Sequence, residues 1–445
     1  MTQGYYAGIS GLQSNQTGLD VIADNLTNLS TTAYKSYTTE FSDLFSKIMA
    51  SGNSTTSNDI GYGVKVQATS TLMAQGSLMP SDRYTDLALE GNGWFGVVGS
   101  NKENYFTRDG SFKFDTNQSV GGNVNSSTAR LVTGDGMYVT GTMLTNFSYD
   151  PTFDYGDLAS NGVSGAYLIN KPATDAPLGS PSSQTLLDFP TRLAYPVEPT
   201  TNIKFMGNLG IDDTLRSMTG TAINAKNETN QVTLTFTKSA SQQPTGTLWD
   251  IVATAKSKDG SILYDTQTGQ AFFDENGAID SFTIPALDNN GSSVTLDLGS
   301  GFGGVISTQG IAISGAAQSD GSSGGILTNY AIDDNGVIIG DFTNGKQSAI
   351  GRIAVYHFQN DQGLNREGGT YFRESLNSGE AVFWKNSSGE TITGATVRSG
   401  QLETSNVSSE VGLTDMIVTQ RAYQANAKTI TTVDEMIQKA LQMHR

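Results

Sequence analysis

At 445 residues the chain is long enough for two or three domains with cores of their own. Its formal charge of -17 argues against nucleic acid and anionic membrane surfaces as partners, because both require a basic footprint. Cysteine is absent, which excludes disulfide staples and thiolate metal sites.

The first residues lack a basic start, a long apolar core and a small-residue cleavage site, so no secretory signal peptide is expected. No apolar run reaches 18 residues, so membrane insertion is not expected either. Taken alone these point to the cytoplasm, although export without a cleaved signal leaves the same trace. The first predicted element is an amphipathic helix over 5–29. Leu12, Leu19 and Leu26 are seven apart, and Asn15, Ile22 and Leu29 fill the alternate slots. A polar break follows at 30–35, then a short amphipathic piece (Phe41, Leu44, Phe45, Ile48) and a linker by composition at 51–60.

From Val64 the pattern changes to short strands. Leu87–Leu89 and Trp94–Val98 flank a glycine turn, Tyr105–Thr107 and Phe112–Phe114 flank Arg108-Asp109-Gly110, and Leu131-Val132 and Tyr138-Val139 flank Gly134-Asp135-Gly136. These spacings predict hairpins. Residues 148–324 form a second β-rich segment with 18 acidic and 8 basic side chains. Strands are expected at Val232–Thr237, Leu248–Ala253, Ala271–Phe273 and Val294–Leu298, with a Gly/Ser-rich return linker at 299–325. Residues 326–395 return to hairpins around Asn335-Gly336 and Asn344-Gly345.

A second long helix is predicted from Asn406 to Met443. Met416, Tyr423, Ile430 and Ile437 step by sevens, joined by Val433 and Ala440 on one side and by Leu413, Ala427 and Leu441 on the other. Its middle, Thr429–Val433, is β-branched throughout, so the helix needs a partner. The expected fold is mixed and mainly β, with paired N- and C-terminal heptad helices enclosing two nested β-rich domains. The helices are assigned to 1–30 and 405–445, connecting segments to 31–75 and 396–404, a split β domain to 76–147 and 325–395, and an inserted outer β domain to 148–324. A lone helix pair is marginal against backbone entropy of roughly 1–2 kcal/mol per residue, so neighbouring copies are expected to supply burial. The expected interface is Leu12, Leu19, Ile22, Leu26, Leu29, Met416, Tyr423, Ile430, Val433, Ile437 and Leu441.

No catalytic, cofactor-binding or metal site is expected. Gly91-Asn92-Gly93-Trp94-Phe95-Gly96 has dinucleotide-binding spacing, but a strand pattern follows it where a helix is required. Asp333-Asp334-Asn335-Gly336 lacks a calcium loop's first and last ligands, since Ala331 and Phe342 stand there. His357 and His444 are the only histidines. Paired carboxylates distant in sequence remain the one open route to an enzyme.

Both chain ends resemble the axial proteins of the bacterial flagellum, the rod–hook family. The matching residues are Leu19–Asn28 with Thr32-Ala33-Tyr34-Lys35, and Met416–Lys428. Ala33 departs from the family's usual glycine. Within the β region, Asp86–Phe95, Tyr105–Gly110, Ser348–Ala354 and Asn360–Leu364 are similar to the family's β module. The stretch from Asn202 to Leu209 resembles the outer domain that hook members carry and the shorter rod members lack.

The resemblance implies a structural subunit, not an enzyme, that polymerises into a curved hollow tube acting as a universal joint between rod and filament. It implies self-association, contacts with distal rod, hook cap and hook–filament junction proteins, and export through the flagellar type III apparatus to an extracellular hook. Tyr5 and Ile9 then read either as an export signal or as the start of the helix stripe. Gln13, Gln16, Gln420 and Gln424 read either as channel-lining amides or as a solvated face. The competing readings are a rod-type axial subunit and, from another class, a secreted adhesive or carbohydrate-active β protein.

Overall fold

The computed structural model describes residues 2–44, 47–48, 59–119, 127–150, 165–212 and 214–443. Two long helices, α1 (Thr2–Thr27) and α2 (Ser409–Met443), pack against each other, and the described chain between them is mainly β. Asn28 and Leu29, expected in the first helix, lie in the turn that closes it. Of the linker expected at 51–60, residues 51–58 fall outside the described residues. Asp59–Ile60 pair with Lys47–Ile48.

Next to α1 a long antiparallel ribbon joins Tyr37–Asp43 to Val64–Thr71. The split module then draws strands from both halves of the chain into one sheet. Its order runs Phe147–Asp150, Ala166–Ile169, Leu193–Tyr195, Gly325–Ile332, Val337–Phe342, Gln347–Ile353, Tyr138–Met143, Trp94–Val98, Asn104–Thr107, Tyr371–Arg373, Asn365–Gly368. Phe95, Phe112, Leu131, Val139, Phe189, Ile338 and Ile353 lie in its core.

The expected hairpins at Gly134–Gly136, Asn335-Gly336 and Asn344-Gly345 form. Two others do not. Leu87–Glu90 pairs with Thr396–Ser399 near the other end of the chain, and Lys113–Ser119 pairs with Ser127–Val132. Gly110 serves a different purpose from a tight turn: it lets two chain segments cross. Its carbonyl accepts the Leu87 amide, and an added Cβ would fall on the Leu87 carbonyl.

The outer body is narrower than 148–324, because the strands between Phe147 and Tyr195 belong to the split module's sheet. The chain enters and leaves the outer body through mutual backbone bonds between Glu198 and Ser322. Beyond this neck a five-stranded meander (Leu215–Ile223, Thr229–Lys238, Thr247–Ser257, Leu263–Phe273, Ile279–Thr283) faces a second five-stranded sheet centred on Asn202–Asn208. Alternate side chains Val232, Leu234 and Phe236 enter the core with Phe205, Trp249 and Phe273. The Gly/Ser-rich stretch read as a linker is partly strand. Ser314–Ser319 pairs with Asn202–Asn208 over six residues, and Gly315 lies against the Met218 side chain of the facing meander.

The split module buries one histidine. His357 Nε2 lies 2.6 Å from the Thr393 carbonyl oxygen, so Nε2 carries the proton and donates. Burial holds its pKa below the ordinary 6.5, with Arg108 pushing the same way and Asp361 opposing. The folded module therefore binds a proton less readily than the unfolded chain. Stability is complete above the unfolded value and declines as pH falls through about 6.5. Thermal melting should show that decline in the native chain and a flatter profile in His357→Gln.

Candidate functional site

The helix pair is antiparallel, and its register follows from the glycines of α1. Gly4 faces Val433, Gly8 faces Ile430 and Asn426, Gly11 faces Asn426, Gly18 faces Thr419, and Leu26 lies over Gly412. Apart from the Asn426 carbonyl beside Gly8, one turn away, positions that meet add to 437 or 438, as two helices running in opposite directions require. Gly4, Gly11 and Gly18 are seven apart, with Gly8 between, so they form a heptad seam without side chains. The larger α2 residues fill the space. Ile430 Cγ1 stands 2.9 Å from where a Cβ on Gly8 would sit. Glycine inside a helix costs about 1 kcal/mol relative to alanine, and here it permits close backbone approach.

The apolar residues expected to form the interface are distributed unevenly. Val433 is buried, and Leu12, Leu19, Ile22, Leu26, Met416, Tyr423, Ile430 and Ile437 are half-buried. Leu29 and Leu441 are exposed. Tyr5 is exposed and stacks edge-on with Tyr6, while Ile9 is half-buried. Gln13, Gln16, Gln420 and Gln424 are all exposed. Val411, Leu413, Ile417, Val418 and Met436 on α2 are also left open. A further face of α1 is held by the ribbon. Asn25 bonds the Tyr37 backbone on both its donor (2.8 Å) and acceptor (2.9 Å) atoms, and Ser14 Oγ donates to the Val64 carbonyl at 3.1 Å.

Where the helices meet the split module, three charged side chains are buried together. Lys35 Nζ lies 2.6 Å from Glu403 Oε1, with side chains 1% and 0% exposed. The same oxygen accepts the Gly76 amide at 2.9 Å, and Lys35 also donates to the Ala74 carbonyl at 2.9 Å. Arg108 Nη1 approaches Glu403 Oε2 at 3.6 Å, with its guanidinium 5.5 Å from the Trp94 ring. Burial pulls the Lys35 pKa down and Arg108 adds to that, while Glu403 opposes both.

The same node carries neutral clasps. Asn406 accepts from the Ser36 amide and donates to the Leu72 carbonyl, and the Ala33 amide donates to the Glu403 carbonyl. Ala33 adopts a left-handed φ of 56°, so the turn where the resemblance leads one to expect glycine is kept despite its methyl. Arg366 of the split module lies 4.7 Å from the Tyr34 ring and 5.0 Å from that of Tyr37. Burial and a hydrogen bond to Asp24 push the Tyr34 hydroxyl up to about 12.

Sequence reasoning did not find Gly8, Gly11, Lys35, Arg108, Glu403 or Asn406. The glycines carry a signal, their own heptad spacing. The charged trio carries none, because its members lie far apart in the chain.

Three family descriptions match the chain: "Flagellar basal body rod protein" at 6–35, "Flagellar hook protein FlgE/F/G D1 domain" at 88–153, and "Flagellar basal body rod FlgEFG protein C-terminal" at 398–443. Lys35, Arg108 and Glu403 each fall within a different one of these segments. The chain is 29% identical to the flagellar hook protein FlgE of Borreliella burgdorferi and 29% identical to that of Treponema pallidum, over the full length of each. It is 26% identical to the FlgE of Salmonella typhimurium over 96% of this chain and 97% of that one.

Proposed function

We infer function from one premise: the chain belongs to the rod–hook family of flagellar axial proteins. It is a structural subunit of the flagellar hook, located there, and its work is assembly with copies of itself. The observation that carries the assembly reading is the state of α2. Among its residues only Val433 is buried, while Ile417, Val418 and Leu441 are each at least 60% exposed. Apolar side chains left open along so much of a helix pair are expected to be covered by neighbours.

The finer reading is a curved hollow tube that bends as it transmits torque. The helix pair forms its inner wall, residues 31–75 and 396–404 connect, and the two β bodies lie outside. The inner wall stays rigid because its seam is closely packed. Bending is taken up by the outer body, which joins the rest through the neck at Glu198 and Ser322. Gln13, Gln16, Gln420 and Gln424 line the channel, where uncharged amides neither trap apolar segments nor hold charged ones. Tyr5 and Ile9 are read by the flagellar type III export apparatus on the way to the cell exterior. The end partners of the tube are the distal rod, hook cap and hook–filament junction proteins.

Electron microscopy of the purified, polymerised chain tests this reading, and the expected result is hollow curved tubes. Straight tubes would point to a rod-type subunit. Leu19→Asp or Ile430→Asp should abolish tubes while leaving the β bodies folded by circular dichroism. Normal tubes from either variant would remove the helix pair from the interface.

A further inference from the structure

The register of the helix pair leaves part of α2 without a partner among the described residues of its own chain. Thr2, the first residue of α1, stands opposite position 435 or 436, so the last two turns of α2 (436–443) project past the pair. This tip exposes Met436, Leu441 and Met443, the last at 83%. Its one charged side chain is Lys439.

At the opposite end of the same pair, where α2 begins, lies an open groove of about 480 Å³. Ile22, Leu72, Val407, Val411 and Val418 line it, and its one charged side chain is Asp415. About 38 Å of helix separates Asp415 from the tip at 1.5 Å per residue, so the tip cannot reach the groove of its own chain.

We propose that this groove receives the projecting α2 tip of a second copy, so that subunits stack head to tail along the helix axis. This rests on the assembly reading above. The fit has three parts. Apolar side chains on the tip meet apolar walls. Lys439 meets Asp415, the lone charged side chains of the two surfaces among the described residues, with opposite signs. The carboxyl end of one helix meets the amino end of the next, which aligns their dipoles favourably. Because the two surfaces differ, the contact is heterologous and repeats without closing, as a filament requires.

The absence of cysteine from the chain makes the test clean. The full chain carrying both Val411→Cys and Leu441→Cys is polymerised, oxidised and run on a non-reducing denaturing gel. A ladder of covalent multimers is expected, with no covalent dimer from either single variant. Tubes that dissolve to monomers overturn the proposal. So does a covalent dimer from Leu441→Cys alone, which would mean that tips meet one another. Lys439→Glu and Asp415→Lys should each raise the critical concentration for assembly about threefold, and together restore it. Unchanged assembly in both single variants also overturns the proposal. The failures are separable: if the unsubstituted chain forms no tubes, the assembly reading falls, whereas tubes without the ladder sink only the tip-in-groove contact.

Discussion

Replacing Glu403 with alanine is expected to cost about 3–5 kcal/mol of folding free energy, far more than an ordinary truncation. Its carboxylate is fully buried and is the counter-charge for two buried cations, Lys35 and Arg108. Taking it away leaves both without an anion at the node and also frees the Gly76 amide. Lys35 would then lose its proton more readily on folding, because the group that opposed the effect of burial is gone. A lysine pKa lowered in the folded state makes stability rise with pH up to the unfolded value near 10.4. The variant should therefore recover stability with rising pH more steeply than the native chain.

The paired replacement Lys35→Met with Glu403→Leu should recover part of the loss, since it removes two charges together and leaves only Arg108. Denaturant unfolding followed by Trp94 fluorescence, with Trp249 and Trp384 changed to Phe, reads the effect beside Arg108. A shift of less than about 1 kcal/mol in Glu403→Ala would show that the node is not a clamp.

Gly8→Leu is expected to separate the two helices and abolish assembly. The space a Cβ would take is already held by Ile430, with the Asn426 backbone carbonyl behind it, so a larger side chain pushes the backbones apart. The cost is the strain of overpacking, about 1–3 kcal/mol, together with the looser packing this forces on the rest of the seam. Two of the remaining glycines, Gly4 and Gly18, make an internal control of opposite sign. A Cβ on Gly4 or Gly18 would have its nearest neighbours at 3.7 and 3.6 Å, which is ordinary contact. Gly4→Ala and Gly18→Ala should therefore stabilise α1 by about 1 kcal/mol through helix propensity alone. Circular dichroism measures the helix and sedimentation measures assembly. Tubes from Gly8→Leu would mean that the close seam is not required.

Both helices were legible in the sequence because their apolar residues keep a seven-residue step. The face that joins them was not, because hydrophobic periodicity gives no weight to glycine, and on α1 glycine is what lies against α2. Hairpins closed by Asn-Gly were legible from the turn chemistry. Leu87–Glu90 was not placed, because its partner Thr396–Ser399 lies about 300 residues away and no local rule links them. Ser314–Ser319 reads as linker by composition, yet small residues are what let that strand lie beneath Met218. The node was invisible for a related reason. A buried charge is recognised by its partner, and Lys35 and Glu403 are 368 positions apart.

The clamp at Lys35 and Glu403 also bears on the order in which the molecule folds. Roughly 380 residues separate the end of α1 from the start of α2, and closing so long a loop is entropically slow. Once the β bodies have formed and the clamp is shut, only about 14 flexible residues remain between the helices, a saving of about 3 kcal/mol in closure entropy. Helix pairing then becomes a local, late and fast event, available as soon as the middle of the chain has folded.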